Sequence, residues 1–376
     1  MGMCEEYMPQ SWAFAAGSPI CLKQTQEQDL STPATTATLP ASQELWESSA
    51  CPDLLQGSFG TTDIQSWEPG RFRLERTVRL APRNRGRVDW MVDTVDSIAV
   101  AVKVMPNEWV CDSEADFRRC HTGEIERPWV DIACNAFLNN VEFPYACPLR
   151  GVFLDLDSTY VVSELATCGD LFSWAVSCEQ APGVGREELV LPLARQLFDS
   201  IRWLHDLQIV HHDVSVENIL VNRFPDGDLR IQLIDFGMAL TSRFTDDATK
   251  RGKRANRAPE VYSEKECDGF LCDTFAAGVT IYAVLLGEYP WVSTEPGACK
   301  VFDFTRVYGF RALAEKRKLC KGRGPLVKNV SGPLLELLMG LLAIEPSERL
   351  TLGENVWVSN LGRKSVWEEP WVSTSN

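Results

Sequence analysis

At 376 residues the chain is long enough to bury a substantial core, as one two-lobed domain or two small ones. Its net charge of −15 excludes the basic footprint expected of a nucleic-acid-binding surface. Thirteen cysteines with no Cys-x-x-Cys pair, and only four histidines, point to free thiols in a reducing cytoplasmic setting, not to a disulfide frame or a zinc site.

Residues 1–68 are rich in Ser, Thr, Gln, Ala and Pro. The stretch Ser31-Thr-Pro-Ala-Thr-Thr-Ala-Thr-Leu-Pro40 carries no apolar period, so a disordered N-terminal extension is expected there. Met1-Gly2-Met3-Cys4 has the look of a lipid-anchor start at Gly2 and Cys4. Glu6, however, stands where the acylation pattern takes Ser or Thr. No basic region followed by an apolar core marks a secretory signal. No uninterrupted apolar run reaches the ~18 residues of a membrane span, and residues 275–286 read as a buried helix.

From Arg71 the pattern changes. Phe72, Leu74, Val78 and Leu80 alternate with polar residues, with a slip at Glu75-Arg76, which predicts a strand with one solvated face. Residues 88–95 read as its hairpin partner. Ser97-Ile-Ala-Val-Ala-Val-Lys-Val-Met-Pro106 reads as a third strand and sets Lys103 in an apolar run. A lysine there either answers a buried anion or snorkels from a strand edge. Residues 107–128 are polar and read as an insertion. A loosely helical stretch, 131–138, follows. Residues 158–171 read as a strand, a turn and a helix start. Leu189, Leu193, Leu197, Ile201 and Leu204 mark a helical stripe.

That helix leads into Ile209-Val-His-His-Asp-Val-Ser-Val-Glu-Asn-Ile-Leu-Val221, followed by Leu233-Ile-Asp-Phe-Gly237. Apolar residues flank a polar centre in both, a way to hold charged groups at the mouth of a rigid core. Asp213, Asn218 and Asp235 would converge there, and three such oxygen-bearing side chains suit Mg²⁺ and a polyphosphate. Further on come Ala258-Pro-Glu260, Asp273 and Glu345-Pro-Ser-Glu-Arg349.

In order and spacing these pieces resemble the eukaryotic protein kinase superfamily over residues 71 to about 360. The resemblance implies an α+β, two-lobed fold. An antiparallel β-sheet lobe with one helix would cover about 69–163, and a mainly helical lobe about 167–360. Residues 361–376 would be a C-terminal tail. It also implies an ATP- and Mg²⁺-dependent kinase acting on a protein hydroxyl, of serine or threonine by the resemblance, with tyrosine left open by the missing lysine at Ser215.

By that resemblance Asp213 accepts the substrate proton, Asn218 and Asp235 hold Mg²⁺, and Lys103 steadies the α and β phosphates. Gly86, Val88, Ala101, Glu164, Ala166, Asp170 and Leu220 line the nucleotide site, with Ile219 and Leu171 below the adenine. Leu138, Leu149, His211 and Phe236 form a stack between the lobes, and Arg349 pairs with Glu260.

The departures are specific. The family's glycine-rich pattern falls on Ala81, Arg83, Gly86 and Val88, so two of three glycines are missing. Arg83, Arg85 and Arg87 either supply charge to the phosphates or are solvated turn residues. The helix glutamate that pairs the strand lysine falls on Cys134, leaving Asp131, Glu126 or Glu124 as substitutes. Ser215 stands where serine/threonine members carry lysine, and Lys253 where they carry threonine. This reads as an exchange that keeps one ammonium and one hydroxyl beside Asp213. His212 replaces an arginine that grips an activation-segment phosphate, which predicts weak control by phosphorylation at Thr241, Ser242, Thr245 or Thr249. The basic run 250–257 suggests acidic residues flanking the substrate hydroxyl. The rival readings are a catalytically impaired pseudokinase serving as a nucleotide-binding or scaffold module, and a small-molecule phosphotransferase.

Overall fold

Two apolar layers of different kind are stacked along the chain. The upper is a six-stranded sheet and the lower a helical core. The computed structural model of the chain describes Leu55 and residues 57–224, 226–246, 251–320, 322–358 and 362–373. Most of the N-terminal extension, with Gly2 and Cys4, and also Thr249 and Lys250, lie outside the described residues.

The sheet contains β1 (Gln65–Ser66), β2 (Phe72–Ala81), β3 (Gly86–Asp93), β4 (Ile98–Pro106), β5 (Leu149–Leu154) and β6 (Ser158–Glu164), in the order β1-β5-β6-β4-β3-β2. All neighbours are antiparallel except β1, which runs parallel to β5. The expected slip in β2 is present as a register shift between Leu74 and Arg76, and a second lies between Thr77 and Arg79. The two shifts break the period of two. Of the four residues expected to face the core, Phe72 alone is buried: Leu74 and Leu80 share its face by register but are exposed on the edge strand, and Val78, also exposed, falls within the second shift.

Three helices back the sheet: α1 (Asn107–Val110), α2 (Glu114–Cys120) and α3 (Pro128–Asn140). The polar insertion is thus folded. Its Trp109, Val110 and Phe117 are buried with Trp129 and Ile132 of α3. Ser113 caps α2 by accepting from the Asp116 amide at 3.1 Å.

The lower lobe follows with α4 (Leu171–Ser177), α5 (Glu187–Asp206), the hairpin β7 (Ile219–Arg223) and β8 (Leu229–Leu233), and the short pair β9 (Phe244–Thr245) and β10 (Cys267–Asp268). Then come α6 (Gly269–Leu286), α7 (Lys300–Lys316) and α8 (Gly332–Leu341). Every residue of α6 is buried. It is long and apolar enough by composition to cross a membrane, yet in this fold it is the axis of the lower core. Most of the α5 stripe packs in this core, with Leu193, Leu197, Ile201 and Leu204 buried, whereas Leu189 in the first turn is exposed.

Packing runs past both domain limits read from the sequence. Before residue 69, β1 has joined the sheet and Trp67 stacks on Tyr160 at 3.8 Å and Phe72 at 4.7 Å. After residue 360, Val366, Trp371 and Val372 are buried in the lower core, and the Trp371 indole donates to Glu187 at 2.9 Å. The ten described cysteines are free thiols.

Candidate active site

The loop between α5 and β7 carries the first group of site residues. Ile209, Val210, Val214 and Val216 anchor it in the core, all at most 3% exposed. Asp273 of α6 fixes its backbone, accepting from the amides of His211 at 2.7 Å and His212 at 2.9 Å. His205 of α5 lies between Asp273 (3.2 Å) and Glu354 (2.8 Å), stacked on Phe270. Burial works against its charge, but the hydrogen bonds to the two carboxylates win and raise its pKa to about 9. The loop therefore rests on a buried imidazolium held between two acids.

Asp213 projects from this platform. Asn218 donates from Nδ2 to the Asp213 carboxylate at 2.8 Å and to its carbonyl at 2.9 Å. The other carboxylate oxygen, Oδ1, is buried and accepts no hydrogen bond. Burial raises the Asp213 pKa to about 6, the nearby Lys253 ammonium opposing and Asp235 reinforcing the rise. A carboxylate that is desolvated, oriented on one oxygen and open on the other is suited to take a proton.

Asp235 follows β8 in a left-handed conformation (φ 66°, ψ 66°), which turns the chain sharply. Its carboxylate lies 3.6 Å from Lys103 Nζ, and that ammonium holds it below its ordinary pKa. Lys103 of β4 also donates to Asp131 Oδ2 at 2.8 Å. Burial works against its charge, but the two carboxylates prevail and raise its pKa. The other Asp131 oxygen accepts the Phe236 amide at 2.8 Å.

One buried aspartate on α3 thus joins the sheet lysine to the segment after Asp235. Of the substitutes open in the sequence, Asp131 is the partner. Cys134 lies one turn further along α3, fully buried, where burial pushes its thiol up. His211 packs against Phe236 with ring centroids 5.0 Å apart, and Leu138 joins Phe236 in the core below the cleft. Leu149 packs instead against the cluster behind α3.

The exchanged pair meets. Lys253 Nζ donates to Ser215 Oγ at 2.8 Å and forms an ion pair with Glu217, whose carboxylate also accepts from the Tyr289 hydroxyl at 3.5 Å. Glu217 was not singled out in the sequence. Its signal was an acid set between Ser215 and Asn218 in a loop otherwise committed to the site. His205 and Glu354 carry no local signal either, because they are distant in sequence and meet only in the fold.

Above the loop, Val88 pairs with Lys103 and Ala101 with Ser163, which puts the expected nucleotide-facing residues on one side of the sheet. Below it, Leu220 bridges to Asp170, and Ile219 and Leu171 are buried. Several expected contacts have competing partners. The Gly86 amide donates to the Asn84 side chain at 2.9 Å, and a Cβ at Gly86 would sit 2.7 Å from that oxygen. This glycine therefore serves a close turn, and its amide is engaged there. Asp170 caps α4, accepting the Ser173 amide at 2.6 Å. The Glu164 carbonyl accepts the Cys147 thiol at 3.1 Å, and Ala166 is buried.

The arginines at the hairpin turn each have an acidic partner. Arg83 pairs with Glu124 and Glu126, Arg85 with Glu108, and Arg87 with Asp89. The described part of the basic run is partly engaged within the fold. Arg251 is buried and donates to the Met238 carbonyl at 2.8 Å, and Arg257 to the Arg251 carbonyl at 2.8 Å, leaving Arg254 exposed. Of the candidate phosphorylation sites Thr245 is buried in the β9–β10 pair, while Ser242 is exposed. Arg349 of the late motif forms two hydrogen bonds to Glu260, at 2.5 and 2.8 Å, both side chains buried.

Comparison with known proteins agrees with this geometry. A sequence model of the protein kinase domain matches residues 85–368. The chain is 29% identical over 238 residues to the mouse (Mus musculus) serine/threonine-protein kinase DCLK3, covering 62% of this chain and 26% of that protein. It is 28% identical over 288 residues to the Arabidopsis thaliana CBL-interacting serine/threonine-protein kinase 1, covering 75% and 56%. To the Oryza sativa serine/threonine-protein kinase SAPK3 it is 31% identical over 199 residues, covering 52% and 54%. The matched part thus spans from about a quarter to just over half of these relatives' own lengths. With the lysine–aspartate link, the loop fixed on Asp273 and the buried Glu260–Arg349 pair in place, the match is to the domain and not to scattered motifs, and the chain belongs to the protein kinase family.

Proposed function

We propose that the chain is a catalytically competent protein kinase that transfers the γ-phosphoryl group of ATP to a protein hydroxyl, serine or threonine. The observation that carries this reading is the pairing of Lys103 with Asp131, which also binds the Phe236 amide. It supplies the acidic partner whose absence at Cys134 was, with the two missing loop glycines, a ground for reading an impaired kinase. The relatives' names as serine/threonine kinases support the choice of hydroxyl.

The chain's own groups suffice for the steps. The substrate hydroxyl sits at Asp213, and its proton passes to the open Oδ1. The hydroxyl oxygen bonds to the γ-phosphorus while the bond to the β–γ bridging oxygen breaks, leaving ADP. Lys103 orients the α and β phosphates. Lys253, held by Ser215 and Glu217, brings an ammonium to the transferring group.

Asp235 and Asn218 fit Mg²⁺. Both offer hard oxygen donors, and Asn218 spends its amide nitrogen on Asp213, which leaves its carbonyl oxygen for a cation. When bound, the ion would neutralise charge on the phosphates. Among the described residues of the basic run, the exposed Arg254 would favour acidic substrate flanks.

The test is transfer of label from radioactive ATP to generic protein substrates, with Asp213→Asn as control. Incorporation by the wild type and not by the variant supports the reading. A thermal shift with ATP and Mg²⁺ but no incorporation would replace it with a nucleotide-binding module. Labelling of small hydroxyl compounds alone would favour a small-molecule phosphotransferase.

A further inference from the structure

The β2–β3 hairpin and its flanks carry seven arginines at positions 71, 73, 76, 79, 83, 85 and 87. Five form ion pairs: Arg71 with Asp93, Arg73 with Glu75, and Arg83, Arg85 and Arg87 as above. Arg76 lies over the Trp90 ring at 5.4 Å. Arg79 is exposed and, among the described residues, makes no ion pair.

Its direction follows from register. Cross-strand partners project to the same face of a sheet. Arg79 pairs with Val88, and Val88 with Lys103, so the three form one row across β2, β3 and β4. Lys103 marks that face as the cleft side, because its ammonium reaches Asp131 and Asp235. The alternate residues mark the other side. Thr77 donates to Asp89 at 2.7 Å, Arg87 also bonds Asp89, and Leu80 opposite Arg87 is 68% exposed. The register shift between Thr77 and Arg79 is what turns Arg79 inward.

We propose that Arg79 is a phosphate-contacting residue, reaching down from the sheet to the ATP polyphosphate beside Lys103. This rests on the nucleotide reading above and deepens it. The contact answers a deficit on the same hairpin. Two loop glycines are absent and the Gly86 amide is taken by Asn84, so backbone donors are scarce there. A guanidinium offers a planar fork to two phosphate oxygens at once, and its reach replaces the close backbone approach that the glycines would allow.

The experiment is calorimetric titration of the full chain with Mg²⁺-ATP and, separately, with adenosine, for wild type, Arg79→Ala, Arg79→Lys and, as a control at the far end of the same face opposite Val92, Arg73→Ala. Arg79→Ala should weaken ATP binding about tenfold and leave adenosine binding unchanged, as expected for loss of charge-assisted hydrogen bonds. Arg79→Lys should recover part of the loss, and Arg73→Ala should match the wild type. Equal losses for ATP and adenosine would make Arg79 a packing residue and overturn the contact, as would no loss at all. A wild type that binds neither ligand would overturn the nucleotide reading and the contact with it. Wild-type ATP binding indifferent to Arg79 overturns the contact alone.

Discussion

The two lobes reach one catalytic geometry by different means. In the lower lobe each element of the site is held by a buried polar contact at a position the family pattern anticipates. Asp273 holds the loop amides, Asn218 orients Asp213, and Arg349 pairs with Glu260. In the upper lobe the positions are vacated and the contacts are rebuilt nearby. Asp131 serves where Cys134 cannot, and paired arginines stand where glycines are absent. The difference is physical. The lower loop is enclosed by α5 and α6, so moving one group would strand several buried partners. The sheet lysine, at the end of a long flexible stem, can meet a carboxylate from more than one turn of a helix.

The sharpest break of this comparison is Asp213→Asn. Loss of the proton acceptor should cut turnover by about 10³-fold. The same change should raise the melting temperature at neutral pH. The folded pKa of Asp213 lies above the ordinary carboxylate value, so its ionised form destabilises the fold as pH rises from about 4 through about 6. The wild-type kcat/KM should correspondingly fall as pH drops below about 6. An Asp213→Asn protein that is both inactive and less stable than wild type would refute the buried-base account.

Asp131→Ala tests whether the upper lobe is rebuilt or merely eroded. It removes the acceptors of Lys103 and of the Phe236 amide together, and turnover should fall by about 10²-fold. Cys134→Ala, one helical turn away, should leave turnover nearly unchanged while lowering stability through lost packing, by about 1 kcal/mol. Equal effects of the two variants on turnover would mean that α3 acts as a packed body and the ion pair carries nothing.

The lower lobe has one relocated group of its own, so Lys253→Met asks whether relocation is confined above. Turnover should drop by a comparable or smaller factor, on the order of 10²-fold, with ATP binding unaffected. Ser215→Lys with Lys253→Thr restores the usual arrangement and should recover part of the loss. Unchanged turnover in Lys253→Met would reduce the ammonium to a surface charge paired with Glu217.

How much of this was legible in the sequence follows the same division. Asp213, Asn218, Asp235 and the Glu260–Arg349 pair could be read because their spacing is set by short loops inside a packed core. The helix stripe on α5 and the buried α6 were equally plain. Asp131 appeared only as one of several acids, because a loosely periodic helix does not fix which turn faces β4. The three arginines next to the missing glycines drew attention by proximity in sequence. The acids that pair with two of them, Arg83 and Arg85, at 108, 124 and 126, lie across an insertion that reads as polar and folds into two packed helices. The second slip in β2 was invisible, because one extra residue in a strand of mixed charge leaves no compositional trace. The limits at 69 and 360 were set where motifs stop, whereas packing continues through Trp67 and Trp371.

The smallest expected effect concerns the platform beneath the loop. His205 carries a folded pKa of about 9 against an ordinary value of 6.5, because hydrogen bonds to Asp273 and Glu354 outweigh its burial. Its charge therefore contributes stability that is fully present below about pH 6.5 and lost as pH rises through about 9. The shift corresponds to roughly 3 kcal/mol at its full extent. Other groups also titrate near pH 9, so the informative quantity is a difference between proteins. Glu354→Gln removes one of the two acids and should pull the His205 pKa down. The melting temperature of this variant should then begin to fall at lower pH than that of the wild type, between about 7 and 9. Parallel curves across that range would show that His205 is neutral in the folded protein, and that Asp273 alone holds the catalytic loop.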